Sequence, residues 1–161
     1  MEILLYILIG IATWFVWSIF HEMSHVVAAK LLGNVEWWKI KLLPHKYNGK
    51  FYFARSYWAY KDGLPTVNKQ GMILLAPRVL NVLSTLTAIT LMGTAFASFG
   101  HTAFMIMLLG GTVDLLVGSL GLTEQSDLRV ASEKFNVTPW VGRMFGFMLT
   151  LGAVLALVLS I

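Results

Sequence analysis

Apolar residues run along this chain in four long stretches broken by short polar clusters. Ile3–Phe20 holds no charged residue across 18 positions, and the apolar pattern continues past a polar cluster to about Leu32. Met72–Ala95 is interrupted only by Pro77, Arg78 and Asn81, Thr102–Leu122 only by Asp114, and Val141–Ile161 only by Arg143. A helix needs ~20 residues to cross ~30 Å of hydrocarbon. The pattern therefore predicts an all-α membrane protein with four transmembrane helices, over about 3–32, 72–95, 102–122 and 141–161. The first stretch does not read as a cleaved signal peptide, because Met1-Glu2 supplies no positive start and no small-x-small site follows.

Between the first two stretches the pattern changes period. Val35–Leu43 and Phe51–Trp58 are rich in β-branched and aromatic residues, and Asn48-Gly49 between them is a hairpin-turn signal. This predicts a β-hairpin over about 35–58. Its Trp37, Trp38, Tyr52, Tyr57 and Trp58 are of the types that settle at a membrane–water interface. The hairpin is thus expected against the cytoplasmic face. Asp62-Gly63 and Pro65 mark its exit. With no repeat and no low-complexity linker, residues 1–161 read as one domain.

Composition agrees with a membrane setting. Of the 161 residues 57% are hydrophobic and 12% charged, and mean hydropathy is +0.72; globular chains carry ~25% charge. The absence of cysteine excludes a disulfide scaffold, a thiol nucleophile and any cysteine-based metal site. Net charge is +4, but its placement argues for topology rather than nucleic acid. Eight of the twelve basic residues lie between Lys30 and Lys69, and Arg129, Lys134 and Arg143 lie in or beside the third connection. The positive-inside rule then makes the first and third connections cytoplasmic and both termini external; the absence of targeting segments fits a bacterial or archaeal plasma membrane.

The chemistry sits at the end of the first stretch. His21-Glu22-Met23-Ser24-His25 is an HExxH motif. Residues i and i+4 of a helix lie ~40° apart around its axis and ~6 Å along it. Two such imidazoles grip one tetrahedral metal ion, and the glutamate serves as general base. Catalytic zinc takes three protein ligands, so one more is needed from His45, His101, Asp114, Asp127, Glu124 or Glu133. Depth sorts them. At 1.5 Å per residue His21 and His25 lie ~27 and ~33 Å below Ile3, whereas Asp114 lies ~18 Å below Thr102 at the same face. Asp127 follows that helix near the depth of His25. His101 belongs to the opposite face, and His45, beside Pro44, reads as an interfacial loop residue. Asp114 has the alternative of pairing with Arg78. Asn81 reads as a candidate substrate-binding residue, donating to a peptide carbonyl or an oxyanion, or else as a helix-packing amide.

A metal-binding HExxH within a membrane helix, here HEMSHVVAAKLLG, resembles the site-2 protease family of intramembrane zinc metalloproteases. The small residues Ala28 and Ala29 and the closing Leu32-Gly33 fit that family's helix. Gln125-Ser126-Asp127-Leu128-Arg129 resembles the Ser/Gly-Asp element that supplies the third ligand in compact relatives. The Leu-Asp-Gly element of larger members is absent, since Leu115-Leu116 follow Asp114; Asp127 and Asp114 both stand as third ligands. The resemblance implies a zinc endopeptidase, with Zn2+ on His21, His25 and an aspartate and Glu22 catalytic. It also implies a membrane-anchored protein or peptide substrate, cut near the cytoplasmic leaflet. The alternative from another class is a non-proteolytic membrane zinc-binding scaffold or regulator. No nucleic-acid partner is expected, and nothing in the sequence fixes an oligomeric state.

Overall fold

The computed structural model describes residues 2–52, 54–92, 110, 111, 114 and 126–160. Among them are four helices, α1 (Glu2–Leu32), α2 (Val67–Met92), α3 (Asp127–Lys134) and α4 (Pro139–Ser160), with Gly110, Gly111 and Asp114 also helical. Four strands, β1 (Val35–Lys41), β2 (His45–Tyr47), β3 (Lys50–Tyr52) and β4 (Arg55–Tyr60), lie between α1 and α2. The chain divides into two compact units, residues 1–77 and 78–161.

In the first unit α1 is proline-free and changes character along its length. From Leu4 to Val16 nearly all described side chains are exposed and apolar. From Trp17 onward a buried stripe appears at Trp17, Glu22, His25, Val26 and Ala29, the spacing of one helical face. Lys30 in the last turn suits the negative end of the helix dipole, and the Gly33 N–H closes on Ala29 O at 2.9 Å. Strands β1 and β4 pair antiparallel, with Trp38 opposite Trp58 and Ile40 opposite Ser56, and a bulge between Val35 and Trp37. This sheet packs on α1. The Lys30 ammonium lies 5.0 Å from the Trp38 ring centre, and the Trp58 ring stacks on His25 at 6.3 Å.

Beyond that pair, β2 and β3 form a small second ladder around Asn48 and Gly49. Their φ values of 47° and 76° are those a two-residue type I′ turn requires. The Arg55 guanidinium lies 4.3, 4.5 and 5.3 Å from the rings of Tyr47, Tyr52 and Tyr57. His45 contacts the Leu43 carbonyl through Nδ1 at 2.8 Å and the Tyr57 hydroxyl through Nε2 at 2.7 Å. At the base, Lys61 N–H donates to Asn34 O and the Asn34 amide donates to Asp62 Oδ2. Tyr60 accepts a hydrogen bond from the Trp58 indole, and burial nevertheless pushes its phenol pKa up. The same ring fills the space above Gly33, where an added Cβ would stand 2.6 Å from Tyr60 Cε1. Gly33→Ala should therefore displace a held ring and cost about 1–3 kcal/mol, read as a lower thermal midpoint in detergent.

In the second unit, the part of α2 beyond Pro77 carries a buried polar cluster. Arg78 Nη1 donates to Asp114 O at 2.7 Å and to Asp114 Oδ2 at 3.1 Å, and the Asn81 amide donates to Asp114 Oδ2 at 2.7 Å. Asn81 is fully buried. Arg78 and Asp114 are partly buried, and breaking such a pair from one side leaves the other charge uncompensated, at up to about 3–5 kcal/mol, the cost for a fully buried pair. Arg78→Leu is thus expected to lower unfolding stability by up to that amount, as chemical denaturation in detergent would show. Helix α3 starts at an extended N-cap, Ser126, and carries the i,i+4 pair Arg129–Glu133 at 3.3 Å. It ends in Asn136 at φ 54°, and Pro139 opens α4, where its missing N–H costs nothing. Gly142 lets α4 approach α3, since a Cβ there would meet Ser132 Oγ at 2.8 Å.

These elements correct the sequence expectation of an all-α protein with four transmembrane helices. Among the described residues one helix, over Ile7–Leu32, is long and apolar enough to cross a membrane, and it is accompanied by antiparallel strands. The reason lies in where polar groups fall. Helix α2 begins earlier than expected and so takes in Asn68, Lys69 and Gln70 ahead of Pro77, Arg78 and Asn81. Helix α3, not expected from the pattern, is short and mostly polar. Helix α4 carries Arg143 within its first two turns. The expected helix at 102–122 lies outside the described residues except for Gly110, Gly111 and Asp114.

Candidate metal centre

The HExxH residues occupy the part of α1 against which the sheet packs. Unbroken helix from Glu2 to Leu32 puts His21 and His25 one above the other, with ring centres 5.2 Å apart in an edge-on arrangement. His25 is only 5% exposed and Glu22 9%. Their burial comes from the stripe that turns inward at Trp17 and from the cover that Trp58 gives His25.

Both buried polar residues are held from outside their own helix. The Ser56 backbone N–H donates to Glu22 Oε2 at 2.5 Å. Ser56 pairs with β1 through Ile40, so this amide belongs to the edge of β4 that faces away from β1. The His25 Nδ1 lies 2.9 Å from Ile73 O. A carbonyl only accepts, so Nδ1 carries the proton and Nε2 is the nitrogen that could ligate a metal, the arrangement usual for a ligating histidine.

Asp127 is the first residue of α3, directly after its Ser126 cap. His21 and His25 lie in the first unit and Asp127 in the second. Two imidazoles and a carboxylate are a donor set that zinc accepts at ~2.0–2.2 Å per bond. The other sequence candidates fall elsewhere. Asp114 is engaged by Arg78 and Asn81, which also commits one amide N–H of Asn81, the residue expected to meet substrate. His45 lies in the hairpin tip against Tyr57, and Glu133 pairs with Arg129 on α3. His101 and Glu124 lie outside the described residues.

Sequence reasoning missed the residues that hold the motif. Ser56 acts through its backbone, which no side-chain motif reports, and Ile73 acts through its carbonyl. Trp58 reads as an interfacial aromatic by type, yet its ring lies on His25. No known family model, characterised protein or solved structure matches this chain.

Proposed function

We propose that this chain is a zinc-dependent endopeptidase of the site-2 protease kind. It acts on a membrane-anchored protein or peptide, with α1 in the bilayer of a bacterial or archaeal plasma membrane and the site towards the cytoplasm. The observation that carries this reading is the pair of i,i+4 imidazoles, His21 and His25, on one helix beside a buried glutamate held by a strand amide, with Asp127 as the proposed third ligand. The His25 hydrogen bond to Ile73 O adds a ligand already in the tautomer a metal needs. The basic residues that follow α1, from Lys30 to Lys69, favour a cytoplasmic placement of that end.

Zinc held by these residues would supply Lewis-acid polarisation of the scissile carbonyl and a water acidic enough to ionise near neutral pH. The remaining work falls to the chain. Glu22 takes the proton of the attacking water and delivers it to the departing amine. Ser56 N–H keeps that carboxylate in place through one oxygen, and a carboxylate retains further acceptor capacity for water. The outward edge of β4 has no partner strand among the described residues. An unwound substrate segment can pair there in extended form, its peptide bond freed from helical hydrogen bonding.

The test is proteolysis by purified chain of a mixture of membrane-anchored peptides in detergent, with new termini identified by mass spectrometry. Cleavage should stop on adding 1,10-phenanthroline and return with zinc. Cleavage indifferent to the chelator, or none from a zinc-loaded chain, would remove the reading.

A further inference from the structure

Proline at position 77 sits inside α2 and is almost wholly buried, an unusual place for it because helix interiors reject proline. Proline has no backbone N–H, so the carbonyl four residues earlier loses its helical donor, and the ring pushes that carbonyl outward. Four residues before Pro77 is Ile73. The Ile73 carbonyl is the one that His25 Nδ1 meets at 2.9 Å. The helical bond deleted by the proline and the hydrogen bond made by the metal-ligand histidine thus use the same oxygen.

We infer that Pro77 is a positioning residue for the metal centre. It acts through the Ile73 carbonyl, which it frees from the α2 ladder so that His25 is held as the Nδ1–H tautomer with Nε2 towards the metal. The inference rests on the zinc reading above for its consequence, but its geometry is a property of the metal-free chain. Ile73 is itself 2% exposed. A buried carbonyl without a partner is costly and so is a buried imidazole N–H; each satisfies the other. In an ordinary helix the residue at position 77 would supply an N–H, the carbonyl would be taken, and His25 would have to share it or turn. The ring would then lose the restraint that distinguishes its two nitrogens.

Pro77→Ala restores the missing N–H without adding bulk, and alanine is the best helix former, so helix content should be kept or rise. Zinc affinity, read by competition with a chromogenic chelator, is expected to fall roughly 10- to 100-fold, the usual effect of removing a ligand's outer hydrogen bond. The second readout needs no metal: 15N shifts of the labelled His25 ring should report the Nδ1–H tautomer in the unaltered chain. In Pro77→Ala they should show loss or mixing of that tautomer. Unchanged zinc affinity in Pro77→Ala with an unchanged His25 tautomer would overturn the inference. So would an Nε2–H tautomer in the unaltered chain, whatever the variant does. Should the unaltered chain bind no zinc yet show the Nδ1–H tautomer and lose it in Pro77→Ala, the positioning role of Pro77 stands and the zinc reading falls.

Discussion

Glu22→Gln is expected to lower peptide-bond hydrolysis by about 10²- to 10⁴-fold, the usual contribution of a positioned general base, while the chain keeps its full complement of zinc. Glutamine has the same shape and retains an oxygen that can accept from Ser56 N–H, so the local fold is undisturbed. What it lacks is a carboxylate oxygen that can take the proton of the attacking water and hand it on. Glu22→Ala is a poorer experiment, because it would leave a strand amide buried without a partner at about 1–3 kcal/mol and mix instability with chemistry. Zinc content and cleavage rate measured on one preparation separate the two effects. Hydrolysis at an undiminished rate in Glu22→Gln would dismiss this residue as the base. A zinc-loaded parent chain without turnover would leave a binding scaffold.

The second large effect separates the two aspartates. Asp127→Ala should release zinc, with affinity lowered by more than the ~100-fold typical of an outer-sphere loss, and should cost less stability than Asp114→Ala. Its Ser126 cap is untouched, and the helix dipole's share of a first-turn carboxylate is about 0.3–1 kcal/mol. Asp114→Ala should do the reverse. It removes the carboxylate that Arg78 and Asn81 donate to, lowering stability by up to about 3–5 kcal/mol, and leaves metal binding intact. Zinc analysis beside denaturation curves for both variants gives a crossed pattern. If zinc follows Asp114 and not Asp127, the third ligand has been misassigned.

How far the sequence carried can be judged residue by residue. Local signals were legible: the Asn48-Gly49 turn stands where its residue types require positive φ, and the i,i+4 histidines share one helix face. Helix α3 was not legible, because eight residues led by a serine cap leave too short a periodic signal beside long apolar runs. The four-span expectation took apolar length as sufficient and gave too little weight to the polar residues that α2 gathers at its start and around Pro77. The holding contacts on Glu22 and His25 come from backbone atoms 34 and 48 positions away. Side-chain identity carries no information about such atoms, with one exception: a proline in a helix names the carbonyl it leaves unpaired.

The hairpin tip has a consequence that reaches well beyond itself. Successive amides of a strand point to opposite edges, so a shift of β4 by one residue would turn Ser56 N–H towards β1 and away from Glu22. The two-residue turn at Asn48-Gly49 fixes the pairing of β2 with β3, and the tyrosines gathered on Arg55 anchor the first residue of β4. Mispairing is thereby guarded against at an exposed loop some 26 positions from the base it protects. A bulky β-branched residue at Gly49, touching nothing in the site, is disfavoured at its φ of 76° and invites that slip. Fidelity of strand alignment, rather than any chemistry at the tip, is what makes such a position sensitive.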